Sequence, residues 1–394
     1  MATGKYCESP PPWAAGFAAA VAIAPLLLHL PPLRVGLPCC GIDGFGTSLG
    51  ELGIKYTVEW AFDTNNKLQE HLLRYHGSLR NFFLGPVIGD ITQVNISQLP
   101  SVQAILSGPP CPPWSSLGRR AGALDPRAAV FDHVVQMILE QIHRQTLLFF
   151  VLENVDPTGS GGGSYMHTII AMFAVVAPTW YLKVVKMNAA EHGLAQSRKR
   201  AFLIGFPARL LRDSIGFPAQ IAAGPTPCIG DFLRKDLPNA SPASRQGKLN
   251  LAKYMACVVG KFGGRAGWLC CDTGRDPDAR FGAFARYDNV MPTLTTTNID
   301  LYVASVNQNP EVFRRLHHTE RAVLQGFASS HFRNMAQTQA CLFLGNAVPP
   351  VLCGKVVACI MQLLLNTDMM YHSLSGPAVV LNRISEQLAV QVPK

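Results

Sequence analysis

The feature that most constrains this chain is a regular order of short apolar runs, each followed by a turn and then by a segment with helical periodicity. Such runs occupy residues 33–40, 58–62 and 147–152, and another closes at Ile105 and Leu106. Short continuous apolar runs are typical of strands that are covered on both faces, as in a parallel sheet. Strands that alternate with helices along a chain predict an α/β domain.

Glycines and carboxylates follow several of these runs directly. A glycine turn at residues 41–46 follows the first run, Asp63 follows the second, and Glu153 follows the run that ends at residue 152. Open parallel sheets hold their ligands at the carboxyl ends of the strands, so these positions predict a binding site. At such a position Asp63 can accept hydrogen bonds from both hydroxyls of a ribose, or it can simply cap the next helix.

A proline-flanked cysteine follows the run that closes at Leu106. Residues 108–116 read Gly-Pro-Pro-Cys-Pro-Pro-Trp-Ser-Ser. The prolines exclude a helix and hold the backbone extended, which presents Cys111 on a rigid loop at the end of a strand. From the residues alone, this cysteine is either a small buried apolar side chain or a nucleophile.

Four short motifs then occur in a defined order along the chain. They are Pro-Cys at residues 110–111, Glu-Asn-Val at 153–155, Gln-Ser-Arg-Lys-Arg at 196–200 and Gly-Asn-Ala-Val at 345–348. In this order they resemble the signature blocks of the cytosine-C5 DNA methyltransferases, and the resemblance runs from about residue 35 to about residue 362. It implies a Rossmann-like S-adenosylmethionine-dependent methyltransferase sheet with a second, smaller, irregular target-recognition domain. It also implies S-adenosylmethionine as cofactor and double-stranded DNA as partner.

Cytosine chemistry gives the catalytic residues of the resemblance their roles. Carbon 5 of cytosine is not acidic enough to take a methyl group directly, so a nucleophile must first add to carbon 6, and a thiolate suits that step. Cys111 is the candidate nucleophile, and Glu153 is the candidate acid that protonates or hydrogen-bonds ring nitrogen 3. Arg198 or Arg200 is expected to hold the carbonyl oxygen of the base. The target cytosine must be flipped out of the duplex before 5-methylcytosine can be made.

The resemblance also implies a set of cofactor-binding residues, which lie at the strand ends and in the last motif. They are Gly41, Ile42, Asp43, Gly44, Asp63, Asp90, Ile91, Pro110, Asn346 and Val348. The first block departs from the family pattern. Leu37 stands at the usual acidic position, Cys39 stands at the aromatic one, and Asp43 replaces a glycine. These departures predict weaker or altered cofactor binding.

Charge is concentrated in one part of the chain. Residues 186–286 contain 16 Lys and Arg against 7 Asp and Glu, whereas the remainder contains 18 of each. A basic surface of this kind suits a polyanion, because neutralised phosphates release counterions.

We predict a catalytic and cofactor-binding domain at 34–206, a target-recognition domain at 207–298, a return to the catalytic domain at 299–366 and a tail at 367–394. Residues 1–33 form a low-complexity extension or a targeting signal.

Other functions stay open on the sequence alone. One alternative is methylation of cytosine in transfer RNA, although the Cys-Phe-Thr signature of that branch does not appear at Cys228 or at Cys270 and Cys271. A second is a catalytically silent, nucleic-acid-binding homologue, which the altered first block favours. The 11 cysteines form no disulfide framework and no zinc-ligand spacing, which indicates a reducing compartment. We expect an intracellular monomer without metal or membrane association, in the nucleus if the source is eukaryotic and in the cytoplasm or nucleoid if it is bacterial, with organelle targeting by residues 1–33 left open.

Overall fold

A computed structural model describes residues 31–110, 126–155, 162–211, 221, 223–278, 285–307 and 311–365. Its strands are β1 (Leu33–Pro38), β2 (Tyr56–Asp63), β3 (Phe82–Leu84), β4 (Ala104–Ser107), β5 (Phe149–Val155), β6 (Trp180–Asn188), β7 (Lys199–Pro207), β8 (Gly267–Asp272), β9 (Ala285–Arg286), β10 (Leu301–Val306) and β11 (Phe313–Arg315). Its α-helices are α1 (Gly44–Glu51), α2 (Gln69–His76), α3 (Pro126–His143), α4 (Gly162–Val176), α5 (Arg245–Phe262), α6 (His318–Gln325), α7 (Gln337–Asn346) and α8 (Pro350–Leu365).

Seven strands form the main sheet in the order β3-β2-β1-β4-β5-β7-β6. The pairs from β3 through β5 are parallel, whereas β7 runs antiparallel to both β5 and β6. The start of β7 therefore lies at the same edge of the sheet as the carboxyl ends of β1, β2, β4 and β5. The predicted α/β fold with a methyltransferase-type sheet is confirmed. Because β7 is antiparallel, residues 199–200 lie at the edge of the sheet where the parallel strands end.

Packing on both faces explains the continuous apolar runs. Phe149 and Phe150 are neighbours on β5, and both are fully buried, but they belong to clusters on opposite faces of the sheet. Side chains alternate across a strand, so a central strand needs an apolar residue at every position. The same reasoning explains β4, whose four residues are all buried.

The second domain is more regular than the sequence predicted. It contains an antiparallel sheet in the order β11-β10-β8-β9, and helix α5 covers one face of it. The sequence did not predict this helix, because two of its four buried positions are Gly247 and Asn250. The helical spacing of apolar residues is therefore incomplete, with only Tyr254 and Val258 as large buried side chains. Strands β10 and β11 follow the boundary predicted at residue 298. Strand β10 pairs with β8, and β11 pairs with β10, so this sheet extends to Arg315.

The adjacent cysteines of β8 face different surroundings. Cys270 packs into the main core, whereas Cys271 packs beneath α5. Neighbouring residues in a strand point to opposite faces of the sheet, so the two thiols are directed apart. Burial raises the pKa of both thiols, which keeps them protonated. Both cysteines are free and serve as core residues.

The last described segment returns to the main sheet. Helix α8 begins at Pro350, directly after the last motif, and packs against α1. The stretch Gln337–Leu365 is long and apolar enough to cross a membrane by composition, but it comprises two helices and 78% of its most apolar window is buried within the fold. Such a segment is typical of a core helix.

Candidate active site

The carboxyl ends of β2, β1, β4 and β5 open onto one cavity of about 380 Å³, together with the start of β7. Most of the residues predicted for the site line this cavity. They are Gly41, Ile42, Gly44, Asp63, Asp90, Ile91, Pro110, Glu153, Arg198, Arg200, Asn346 and Val348. Cys111, like the basic pair Arg119 and Arg120, lies outside the described residues.

Asp63 ends β2 and is held by two backbone amides. Its Oδ2 accepts a hydrogen bond from the Gly41 amide at 2.9 Å, and its Oδ1 accepts one from the Asn65 amide at 2.9 Å. Burial raises the pKa of Asp63, and the two amides oppose that rise. Each carboxylate oxygen has two acceptor positions, so the group keeps capacity for a ligand hydroxyl while fixing the glycine turn.

Asp90 caps a short 3₁₀ helix beside the cavity. Its Oδ1 accepts from the Thr92 amide at 3.0 Å and from the Thr92 hydroxyl at 2.8 Å. These bonds to Thr92 make Asp90 a turn residue. The same residue also lines the cavity, as the resemblance implied.

An ion pair stands at the opposite side of the cavity. Glu153 near the end of β5 and Arg200 near the start of β7 are both buried, and Arg200 Nε lies 2.7 Å from Glu153 Oε1. The adjacent Asn154 donates from Nδ2 to the Pro109 carbonyl at 3.5 Å, which ties β5 to the start of the cysteine loop. This arrangement places a carboxyl group and a guanidinium together beside Pro110.

Arg198 has a different environment from Arg200. Its side chain is 2% exposed, and it donates from Nη1 to the Leu294 carbonyl at 2.9 Å. It also donates from Nη2 to the carbonyls of Gly345 at 3.3 Å and Ala347 at 2.8 Å. These bonds direct both terminal nitrogens into the protein. Arg198 therefore holds the cavity wall, whereas Arg200 is paired with Glu153.

Two glutamines extend this buried network. Gln196 Nε2 donates to Gln325 Oε1 at 2.7 Å, and its Oε1 accepts from the Leu294 amide at 3.1 Å. Gln325, the last residue of α6, donates to the Ala347 carbonyl at 3.0 Å. Residues 196–198, the link at Leu294 and the wall near Ala347 are consequently joined by a single set of hydrogen bonds.

Val348 closes the cavity between two glycines. A Cβ atom added to Gly44 would lie 2.2 Å from the Val348 carbonyl oxygen, and one added to Gly108 would lie 2.7 Å from Val348 Cγ2. Only glycine permits such close approaches. The last motif therefore packs directly on the turns after β1 and β4, although it lies far away in the sequence.

Asp43 is placed differently from the prediction. Its carboxylate is 1% exposed, it does not line the cavity, and it caps α1 by accepting from the Gly46 amide at 2.7 Å. His76 Nε2 lies 2.9 Å from the other oxygen. The reason is the left-handed backbone at Asp43, with φ at +56°, which directs the side chain beneath the turn. Asp43 therefore supports the turn through its side chain, while the neighbouring Ile42 and Gly44 line the cavity.

Several cavity residues were not predicted from the sequence. Cys39 and Cys40 contribute from the turn after β1, Asn65 follows Asp63, and Phe343 comes from α7. Asn65 adjoins a predicted carboxylate, which was the available signal, but Phe343 has no local motif. Burial raises the pKa of Cys39 and Cys40, so both thiols stay protonated. Among the described residues, no group of His, Cys, Asp and Glu has the arrangement of a metal site.

The sequence pattern of a known family covers the whole of this site. A model of the family described as C-5 cytosine-specific DNA methylase matches residues 38–362. The chain belongs to this family. The match begins at the end of β1 and ends within α8, so the methylase unit contains both sheets.

Curated methylases are similar to the chain over most of its length. Type II methyltransferase M.FnuDI of Fusobacterium nucleatum is 28% identical over 275 residues, which are 66% of this chain and 76% of that protein. Type II methyltransferase M.DsaV of Dactylococcopsis salina is 28% identical over 318 residues, 78% of this chain and 80% of that protein.

Solved methyltransferase structures share the fold. The S. pombe Dnmt2 methyltransferase superimposes with a TM-score of 0.58 at 16% identity, covering 85% of this chain and 100% of that one. The Entamoeba histolytica methyltransferase EhMeth gives 0.57 at 16% identity, with 85% and 99% covered. At this level of identity, the likeness concerns the architecture of the C-5 cytosine methylase.

Proposed function

We propose that this C-5 cytosine methylase transfers a methyl group from S-adenosylmethionine to carbon 5 of a flipped-out cytosine in double-stranded DNA. The observation that carries the proposal is the single cavity, which joins the carboxylates of Asp63 and Asp90 to the ion pair of Glu153 and Arg200. One part of the cavity suits a nucleoside cofactor, and the other suits a polar base.

The residues present fit S-adenosylmethionine. A volume of about 380 Å³ is in the range of small-molecule sites. Asp63 would accept hydrogen bonds from the ribose hydroxyls, and Asp90 would accept one from the adenine amino group. The turn at Gly41 and Gly44 would lie against the rest of the cofactor. When bound, S-adenosylmethionine supplies an electrophilic methyl group.

Cytosine activation would use the residues on the other side of the cavity. The Cys111 thiolate forms a bond to carbon 6, and the electron pair of the 5,6 double bond moves toward ring nitrogen 3. Glu153 donates a proton or hydrogen bond to that nitrogen, while Arg200 interacts with the carbonyl oxygen. Once carbon 5 carries the methyl group, loss of its proton restores the double bond and breaks the bond from carbon 6 to sulfur.

The basic segment supports DNA as the substrate. Its excess positive charge lies in residues 186–286, which include the exposed Lys199 beside Arg200. Arg286 of the second sheet donates from Nη1 to the Ser197 hydroxyl at 3.2 Å, so this sheet contacts the motif that contains Arg198 and Arg200. Phosphates bound by the basic segment would thus lie near the cavity that receives the base.

Covalent trapping tests the proposal. The full-length protein is incubated with S-adenosylmethionine and a duplex that contains 5-fluorocytosine, then run on a denaturing gel. Fluorine cannot leave carbon 5 as a proton does, so the enzyme stays attached through its cysteine. We expect a shifted band that Cys111→Ser abolishes and that a matched variant in α5, Cys257→Ser, retains.

The same assay separates the alternatives. A band with fluorinated transfer RNA but not with DNA would assign the activity to RNA. No band with either substrate, together with retained DNA binding in a filter assay, would indicate a silent homologue. An adduct that persists in Cys111→Ser would reject the proposed nucleophile.

A further inference from the structure

We propose that Asp43 and His76 form a positioning pair that fixes the cofactor-side turn of this methylase from behind, without contacting the cofactor. The turn comprises residues 39–44. The inference rests on the proposed use of S-adenosylmethionine. It deepens that function by assigning a role to the residue that replaces a glycine in the first block.

The backbone of this turn alternates between left-handed and ordinary conformations. Cys39, Gly41 and Asp43 have φ values of +56°, +54° and +56°, so every second residue is left-handed. Glycine adopts this region freely, and among other residues Asp and Asn adopt it most readily because their short polar side chains bond to nearby backbone. Asp43 therefore keeps the backbone shape that a glycine would provide.

The carboxylate adds an anchor that glycine lacks. Its Oδ1 accepts from the Gly46 amide at 2.7 Å, and the Asp43 carbonyl accepts from the Thr47 amide and hydroxyl, both at 3.0 Å. The Asp43 amide in turn donates to the Cys40 carbonyl at 2.9 Å. The turn and the first turn of α1 are thereby joined at this residue.

His76 connects the carboxylate to a second helix. It is the last residue of α2, and its Nε2 lies 2.9 Å from Asp43 Oδ2. Its ring packs on Phe82 at a centroid distance of 4.8 Å and meets Tyr75 edge-on at 4.9 Å. Because these contacts hold the imidazole in place, the position of the Asp43 carboxylate is set by α2 as well as by its own turn.

The cavity lies on the other side of this turn. Gly41, Ile42 and Gly44 line it, and the Gly41 amide donates to Asp63 Oδ2 at 2.9 Å. A shift of the turn would therefore move both the cavity wall and the carboxylate expected to bind the ribose. Asp43 is thus a positioning residue whose effect should appear in cofactor affinity.

Calorimetric titration with S-adenosylmethionine tests the pair. Asp43→Ala removes the carboxylate that anchors the turn, and alanine disfavours the left-handed backbone at this position. Only a fraction of the unbound protein then has the turn in its binding-competent conformation. The apparent affinity is the intrinsic affinity multiplied by that fraction. We expect the Kd to rise about tenfold. Asp43→Gly keeps the left-handed shape but loses the carboxylate, so its Kd should rise about three- to fivefold, less than in Asp43→Ala. His76→Leu should raise the Kd about three- to fivefold.

Kinetics distinguish positioning from a general loss of structure. With DNA as substrate, Asp43→Ala should raise the KM for S-adenosylmethionine while kcat and the KM for DNA stay within about twofold. Arg74→Ala serves as the control on α2, because Arg74 pairs with Glu70 on the surface and should leave every constant unchanged. Thermal unfolding of each variant checks that it is folded.

Two results would overturn the inference. Asp43→Ala could bind S-adenosylmethionine within twofold of the parent, or His76→Leu could bind it as tightly as the parent does, which would show that the pair does not fix the turn. If the parent protein itself binds no S-adenosylmethionine, the proposed cofactor fails instead. The parent titration therefore separates the two failures.

Discussion

The two sides of the cavity are built from contacts of different range. On the β1–β2 side, which contains Asp43, Asp63 and Asp90, each carboxylate accepts a hydrogen bond from an amide two or three residues later. On the β5–β7 side, Arg198 reaches carbonyls 96 and 149 residues away. Local contacts can change without unfolding the protein, whereas long-range contacts are part of the fold. Substitutions on the two sides should therefore have different consequences.

The largest effect is expected on the β5–β7 side. Arg198→Met removes the donor to the buried Leu294 carbonyl, the donor to the Gly345 carbonyl and one of the two donors to the Ala347 carbonyl, so the free energy of unfolding should fall by about 3–5 kcal/mol. Urea unfolding followed by circular dichroism measures this.

Arg144 is the matched control, because it also donates to carbonyls, at Leu99 and Ser97, but is 20% exposed. Water can replace it, so Arg144→Met should cost about 1 kcal/mol. Equal costs would show that burial of the arginine does not set the size of the loss.

The next effect concerns chemistry on the same side. Glu153→Gln keeps the size of the side chain but cannot donate a proton to ring nitrogen 3. We expect kcat for methyl transfer to DNA to fall by about 10²–10³-fold, with the Kd for S-adenosylmethionine unchanged. Transfer of tritiated methyl groups measures the rate. Glu140→Gln, on the surface of α3 beside Arg144, should retain the parent rate. An active Glu153→Gln variant would exclude this residue as the acid.

Acid should weaken the β1–β2 side through His71. This histidine of α2 packs on Phe332 and on the cavity residue Phe343, and burial lowers its pKa from 6.5 to about 4. Below pH 6.5 the unfolded chain takes up a proton that the folded protein refuses until about pH 4. The free energy of unfolding therefore decreases as the solution becomes more acidic, by about 2 kcal/mol between pH 7 and pH 5.

Urea unfolding at both pH values measures this loss. His71→Phe should make the dependence shallower by about that amount, whereas replacement of the exposed His143 by Gln should not change it. A His71→Phe variant that loses as much stability as the parent would assign the acid sensitivity to other groups.

The smallest effect is expected from a single acceptor on the β1–β2 side. Asp63→Asn can still accept a hydrogen bond from one of the two backbone amides. Its NH₂ group, which replaces the second oxygen, cannot accept one. We expect the Kd for S-adenosylmethionine to rise about tenfold, with unfolding changed by less than about 1 kcal/mol. Calorimetry and urea unfolding together test this, with Asp276→Asn in the second domain as the control. A large loss of stability in Asp63→Asn would show that this side also supports the fold.

The same difference in range explains what the sequence could predict. Asp63, Glu153 and the turn after β1 each follow an apolar run, so strand ends located them without tertiary information. The separate environments of Arg198 and Arg200 could not be found in this way, because they depend on carbonyls contributed by Leu294 and Ala347. The sequence placed Asp43 in the correct turn but not on the correct side, since a left-handed backbone reverses the direction of a side chain and leaves no pattern in composition.

The contact of Val348 with Gly44 and Gly108 also sets a time at which binding becomes possible during synthesis. Val348 leaves the ribosome about 300 residues after Gly44. At ordinary elongation rates this interval is on the order of 15–60 s. Throughout that interval the nascent chain carries its glycine turn and Asp63 but lacks the wall that closes over them. Translation must therefore proceed almost to the end of the methylase unit before the cavity is complete.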